Sequence, residues 1–148
     1  KRTAQKIYRA VCAVAGNKGN TQRYRNLEKG SEFFVENNIR RISPKSTRAK
    51  WGELSTTHGG LYARTDFTVL ERCMSGGISA VKIEARPLTG RTHQIRVHLA
   101  SVGLPILGDT LYGAPEYKRT MLHAQSLIFS HPISKNTITV SAPLPDGF

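Results

Sequence analysis

The chain is predicted to fold as α+β, with a mixed or antiparallel sheet and few helices. Three observations predict this class. Runs in which apolar and polar residues alternate with period two recur along the length, as strands with one buried face require. Two of these runs meet at Gly76-Gly77, a dipeptide suited to the tight turn of a hairpin. Helical spacing with both a start and a stop signal occurs in one place, after Gly90.

The first strand is expected from Lys6 to Val14, where Ile7, Ala10, Val11 and Val14 stand among polar residues, and it ends in the turn-rich stretch Gly16 to Gly19. From Tyr62 to Glu71, Ala63, Thr65, Phe67 and Val69 alternate with Tyr62, Arg64, Asp66 and Thr68. Ile78 to Ala85 repeats the pattern with Val81, Ile83 and Ala85 on one side. Thr92 is a candidate N-cap for the helix, and Gly103 with Pro105 stops it beyond Ser101. At 100° per residue, Ile95, Leu99 and Val102 fall within about a 60° arc. Two further strands are expected at Ala124 to Phe129 and Thr137 to Ala142. There is no internal repeat and no low-complexity tract.

Lys and Arg number 22 against 10 Asp and Glu, a formal charge of +12 on 148 residues. A field of one sign this large on so short a chain points to a polyanionic partner. With 39% hydrophobic residues, the chain is neither membrane-spanning in composition nor disordered. No apolar run approaches the roughly 18 residues of a membrane span, and the first residues lack the apolar core of a signal peptide. Cys12 and Cys73 are too few and too far apart for a disulfide framework, which favours a reducing compartment. His93 and His98 point about 140° apart on a helix and cannot share a metal.

The stretch Gly30 to Gly60 is the most basic, with Arg40, Arg41, Lys45, Arg48 and Lys50 around Trp51. Cations beside an aromatic ring can grip RNA phosphates and stack a base. Equally, the segment can be a solvated loop whose tryptophan plugs the local core. Arg23, Arg25 and Lys29 would extend the same surface.

Function is most legible in Gly90 to His98, which packs Arg91, His93, Gln94, Arg96 and His98 into nine residues. Arg96 sits about 60° from Leu99, at the margin of the buried stripe, where a guanidinium is costly without an anion. Its partner is expected to be a carboxylate or a phosphate. The plainer reading is an arginine that reaches past Leu99 into solvent.

Leu88 to Leu99, then Gly103-Leu-Pro-Ile-Leu-Gly-Asp109 and Leu111-Tyr-Gly113, resembles the C-terminal half of an RluA-type pseudouridine synthase. Lys6-Ile-Tyr-Arg-Ala10 is similar to that family's Lys-x-Tyr-x-Ala strand, and Leu122-His-Ala124, Phe129-Ser-His-Pro132 and Val140-Ser-Ala-Pro143 follow in order. The resemblance implies a pseudouridine synthase-like fold, incomplete in this chain. Residues 1–148 would be the C-terminal part of one catalytic domain, with 17–61 a variable basic insertion.

It also implies an activity, the isomerisation of uridine in rRNA or tRNA after base flipping, with no cofactor and no metal. Arg96 matches the family arginine that pairs with the catalytic aspartate. Tyr8 matches the tyrosine that packs on the target base. Arg91, His93 and Gln94 would shape the pocket or contact RNA backbone. His123 and His131 would hold the fold, and Ile106, Leu107 and the Gly108-Asp109 turn would floor the pocket, Asp109 alternatively capping nearby amides.

One departure stands out. The family's nucleophilic aspartate lies in a His-Arg-Leu-Asp-x-x-Thr-Ser-Gly motif, and none of Asp66, Asp109 and Asp146, the aspartates of this sequence, has that context. Together with Lys1 in place of methionine, this leads to the expectation that the chain is part of a longer protein and inactive alone. Its expected partners are RNA and the missing N-terminal half of the domain, or a second copy in its absence, and no membrane. The expected setting is intracellular, cytoplasmic or organellar. A non-catalytic basic RNA-binding module is the alternative, although it gives the clustered motif no reason. A histidine-based hydrolase is disfavoured, since no Gly-x-Ser-x-Gly elbow is present.

Overall fold

The computed structural model describes residues 4–14, 27–43, 49–54 and 59–148. The Gly16 to Gly19 turn and the cations Arg23, Arg25, Lys45 and Arg48 lie outside the described residues. Seven strands form one sheet in the order β3-β2-β4-β5-β1-β6-β7. They are β1 (Ala4–Ala13), β2 (Glu32–Arg41), β3 (Trp51–Leu54), β4 (Leu61–Ser75), β5 (Ile78–Pro87), β6 (Leu122–Ser130) and β7 (Thr137–Ser141). Every pairing is antiparallel, which settles the choice between mixed and antiparallel. Residues 17–61, expected as a variable basic insertion, contribute β2 and β3 and so supply one edge of the sheet.

The period-two pattern decides which face is buried. On β4, Ala63, Thr65, Phe67 and Val69 are buried, and on β5 Val81, Ile83 and Ala85 join them, with Phe67 opposite Ala85 and Val69 opposite Ile83. The intervening Arg64, Asp66, Glu84 and Arg86 face the other way and pair with one another across the pleat. Gly76 and Gly77 have φ of 56° and 77°, the two positive values that a tight hairpin turn of the proper twist demands.

The helix, α1 (Gln94–Ser101), packs on the inner face of this sheet. It begins one residue later than a Thr92 cap predicts. His93 occupies the N-cap position in the left-handed region, φ 55° and ψ 20°, and no side chain caps the end. The Gln94 side chain instead ties down the preceding loop, its oxygen accepting from the Thr89 hydroxyl and the Arg91 amide. Burial is also wider than the expected stripe: Gln94, Ile95, Val97, His98 and Leu99 are all buried, while Val102 is only partly so. The stop is as expected. Gly103, at φ 80°, donates to the Ala100 carbonyl and Leu104 to the Leu99 carbonyl, and the side chains of Leu99 and Leu104 are buried in one cluster.

Beyond the helix, the connection to β6 is laced to β1. Leu107 donates to the Val11 carbonyl, Met121 to the Leu107 carbonyl, and Val11 to the Met121 carbonyl. Leu104, Ile106, Leu107 and Met121 are thereby fully buried with Phe67, Ile83 and Leu99. A second, smaller cluster of Ile39, Ala63 and Val97 lies under Trp51 and Tyr112.

Candidate active-site cleft

An open cleft of about 510 Å³ lies where β1 passes the start of α1. Lys6 and Tyr8 form one wall, the loop Pro87–Arg91 a second, and His93, Ile95 and Arg96 a third. Tyr8 reaches it because alternation puts that residue on the helix side of β1, opposite the buried Ala85. Five residues singled out from the sequence, Tyr8, Arg91, His93, Gln94 and Arg96, therefore meet at one place although Tyr8 and Arg96 are far apart in the chain.

Of the two roles expected of Gln94, shaping the pocket or contacting RNA backbone, its contacts are those of the first. It is 4% exposed, and all four of its hydrogen-bonding positions are taken. Its oxygen accepts from the Thr89 hydroxyl at 2.7 Å and the Arg91 amide at 3.0 Å. Its nitrogen donates to the Arg64 carbonyl and the Thr65 hydroxyl, both at 2.9 Å. It shapes the loop that walls the cleft.

The chain of bonds continues inward. Because Thr65 Oγ1 accepts from Gln94, its own proton points to His98 Nδ1, 2.8 Å away. His98 is then the Nε2–H tautomer, donating to Asn37 Oδ1 at 2.8 Å. This imidazole is fully buried, and burial lowers its pKa to about 4. His98 is held neutral as a structural strut.

Arg96 has an anionic partner, and that partner is within this chain. Its Nε and Nη2 donate to the two oxygens of Asp109 at 2.9 and 2.8 Å, a fork against a carboxylate that is 1% exposed. The Tyr112 ring lies 5.0 Å from the guanidinium carbon. The bond to Asp109 raises the arginine's pKa further, so its charge is permanent. Asp109 does not cap amides through its side chain, contrary to that alternative. Sequence reasoning gave it a place in the floor and missed the pairing. The signal was available in Gly108-Asp109, a positive-φ glycine (87°) that turns an acid back toward the helix.

Tyr112 is a second residue that sequence reasoning passed over. Its hydroxyl accepts the Trp51 amide at 2.8 Å and lies 2.8 Å from His93 Nδ1. Arg91 is anchored at Nε to the Tyr62 carbonyl, 2.7 Å away, beside the cleft.

Neighbouring residues on a strand face opposite ways, so Arg40 and Arg41 of β2 are on opposite sides of the sheet. Arg41 Nε turns back to the Ser43 carbonyl, and the Lys50 ammonium lies 5.9 Å from the Tyr112 ring centre. Trp51 packs against Ile39, Ala63 and Val97, with Nε1 buried and unpaired. Of the two readings left open, its ring follows the core-plug one. Lys45 and Arg48 lie outside the described residues.

An antiparallel sheet carrying, among the described residues, one α-helix, with a tyrosine and a clamped arginine at a shared cleft, defines a class that comparison identifies. The sequence model described as RNA pseudouridylate synthase matches residues 1–101, and the chain belongs to that family. Within it, the affinity is with the RluA type. The dual-specificity RNA pseudouridine synthase RluA of Escherichia coli K12 is 39% identical over 88 residues, covering 57% of this chain and 39% of that protein. RluA of Yersinia pestis is 33% identical over 134 residues, covering 72% and 64%. Among solved structures, human RNA pseudouridylate synthase domain containing 1 matches 95% of this chain and 55% of its own, with a TM-score of 0.73 at 26% identity. The chain thus spans about two fifths of the E. coli relative.

Proposed function

We propose that this chain is the C-terminal part of the catalytic domain of an RNA pseudouridine synthase that isomerises uridine in structured rRNA or tRNA. The observation carrying this reading is the convergence of Tyr8 from β1 and Arg96 from α1 on one cleft lined by Arg91 and His93. A uridine flipped from its stack would lie in that cleft against the Tyr8 ring. An aspartate from sequence upstream of Lys1 would attack the ribose or the base. The N1–C1′ bond breaks, the uracil turns, a C5–C1′ bond forms as the aspartate is released, and the C5 proton is lost to solvent while N1 takes one up.

Arg96 supports this role because Asp109 takes two of the five donors of a guanidinium, leaving the remainder for a second acceptor in the cleft. The upstream half would pack on the open side of β1, β6 and β7, where a groove of about 290 Å³ shares Lys6 and Tyr8 with the cleft and runs on to Leu127 and Val140. Arg40 and Lys50, with Lys45 and Arg48 of the 17–61 insertion, would supply phosphate contacts, each steepening the salt dependence of RNA binding by about one log-log unit.

The test is tritium release from RNA labelled at uridine C5. The complete gene product is expected to release it, Arg96→Ala to abolish release while RNA binding persists, and this chain alone to release none. Turnover by the isolated chain would contradict an upstream nucleophile. RNA binding without release by the complete protein would favour the non-catalytic module instead.

A further inference from the structure

Asp109 has no counterpart in the functional reading above, yet it is the most deeply buried charge among the described residues and its two oxygens meet one guanidinium. A carboxylate in that position has to be explained, because removing either member of a buried pair leaves an uncompensated charge. Its main chain is fixed as firmly as its side chain. The Asp109 amide donates to the Ile106 carbonyl, and its own carbonyl accepts from Tyr112 and Ala114. Gly108 precedes it at φ 87°, and a Cβ built there would fall on the Arg119 carbonyl. The acid is thus presented on a turn with one permitted shape.

Arg96 by contrast is 19% exposed and hangs on a side chain with four rotatable bonds at the margin of an open cleft. In a free arginine those rotations would let the charge wander into solvent. Clamped at Nε and Nη2 by Asp109 and backed by the Tyr112 ring at 5.0 Å, it keeps its Nη1 edge in one orientation.

We propose that Asp109 is a positioning residue, acting through Arg96 to aim the remaining guanidinium donors into the cleft. It touches neither substrate nor reacting atoms. This inference rests on the proposed synthase activity for its consequence, though not for its geometry.

The experiment is a double-mutant cycle in the complete gene product, joined to a spectroscopic readout. Asp109→Asn keeps the shape and removes the charge. It is expected to lower kcat by roughly ten- to a hundredfold, as when a partner orienting a working ligand is lost, with KM within about twofold. In an Arg96→Lys background, where a lone ammonium cannot make the two-pronged contact and residual turnover stays measurable, the same substitution is expected to cost no more than about twofold further, because its effect passes through the guanidinium. Equal losses in both backgrounds would overturn the proposal, since a purely structural acid costs the same with or without Arg96. By nitrogen-resolved NMR, the Arg96 Nε–H signal is expected to be sharp and slowly exchanging in the wild type and lost in Asp109→Asn. An unchanged signal would overturn the clamp whether or not the enzyme turns over. A wild type that forms no pseudouridine while the arginine signal behaves as expected would sink the functional reading and leave the clamp standing.

Discussion

Acidification should unfold this protein partly through one residue, His98. In the unfolded chain an imidazole titrates near 6.5, whereas in the fold burial brings it to about 4. Its neighbours explain why no charge offsets the burial: the two ring nitrogens meet the Thr65 hydroxyl and the Asn37 amide oxygen, both neutral. Protonation at Nδ1 would also turn the Thr65 contact from acceptor into donor and disrupt the one-way chain from Gln94.

The sign follows from proton counting. Between about pH 4 and 6.5 the unfolded state binds more protons than the folded one, so the histidine's contribution is fully present above 6.5, falls as pH drops, and levels off below 4. A separation of about 2.5 units corresponds to about 3 kcal/mol, a large share of the stability of a domain this size. Urea unfolding at half-unit steps from pH 7.5 to 4 measures it, with His98→Phe as the reference that cannot titrate. The wild type should lose about 3 kcal/mol more than the variant across that range. Parallel curves would refute the reasoning, because they would mean that the ring is charged or solvated in the fold.

Two further outcomes follow from the same geometry. Gln94→Ala strips partners from the Arg91 amide, the Arg64 carbonyl and two hydroxyls, and should cost roughly 3 kcal/mol in thermal or urea unfolding, with a cost near zero refuting its role as strut. Gly108 and Gly113 share a positive φ, 87° and 91°, but a Cβ meets backbone at the first and nothing within 4 Å at the second. Gly113→Ala should therefore cost about 1 kcal/mol of strain alone and Gly108→Ala clearly more, in urea midpoints at constant m. Equal costs would mean that the Arg119 carbonyl gives way.

β1, β4, β5, β6 and β7 were legible because each carries a period-two signal that survives without tertiary information, whereas β2 and β3 fell in the stretch read as an irregular basic insertion. Even Thr65 was readable as inward-facing from its place between Ala63 and Phe67. The start of α1 was one residue off, because no side chain caps it: Gln94 ties the preceding loop at the Arg91 amide to Arg64 and Thr65 arriving from β4, contacts that sequence alone does not show. Gln94 and His98 look like surface residues in sequence, and only the neighbours that satisfy them explain their burial. For Arg96 the sequence disclosed the need for an acid at the margin of an apolar stripe. Which acid answers it was decided by a turn whose geometry depends on the Arg119 carbonyl. Within the basic stretch, adjacency in sequence puts Arg40 and Arg41 on opposite sides of a strand, which a charge count along the chain does not register.

The contact from Trp51 to Tyr112 is made by a main-chain amide. A donor of that kind is present in every residue except proline, so the anchorage of the β3 edge to the cleft is indifferent to the amino acid at position 51. The tie from β3 through Tyr112 to His93 would therefore persist in variants that lose the indole and its packing on Ile39, Ala63 and Val97.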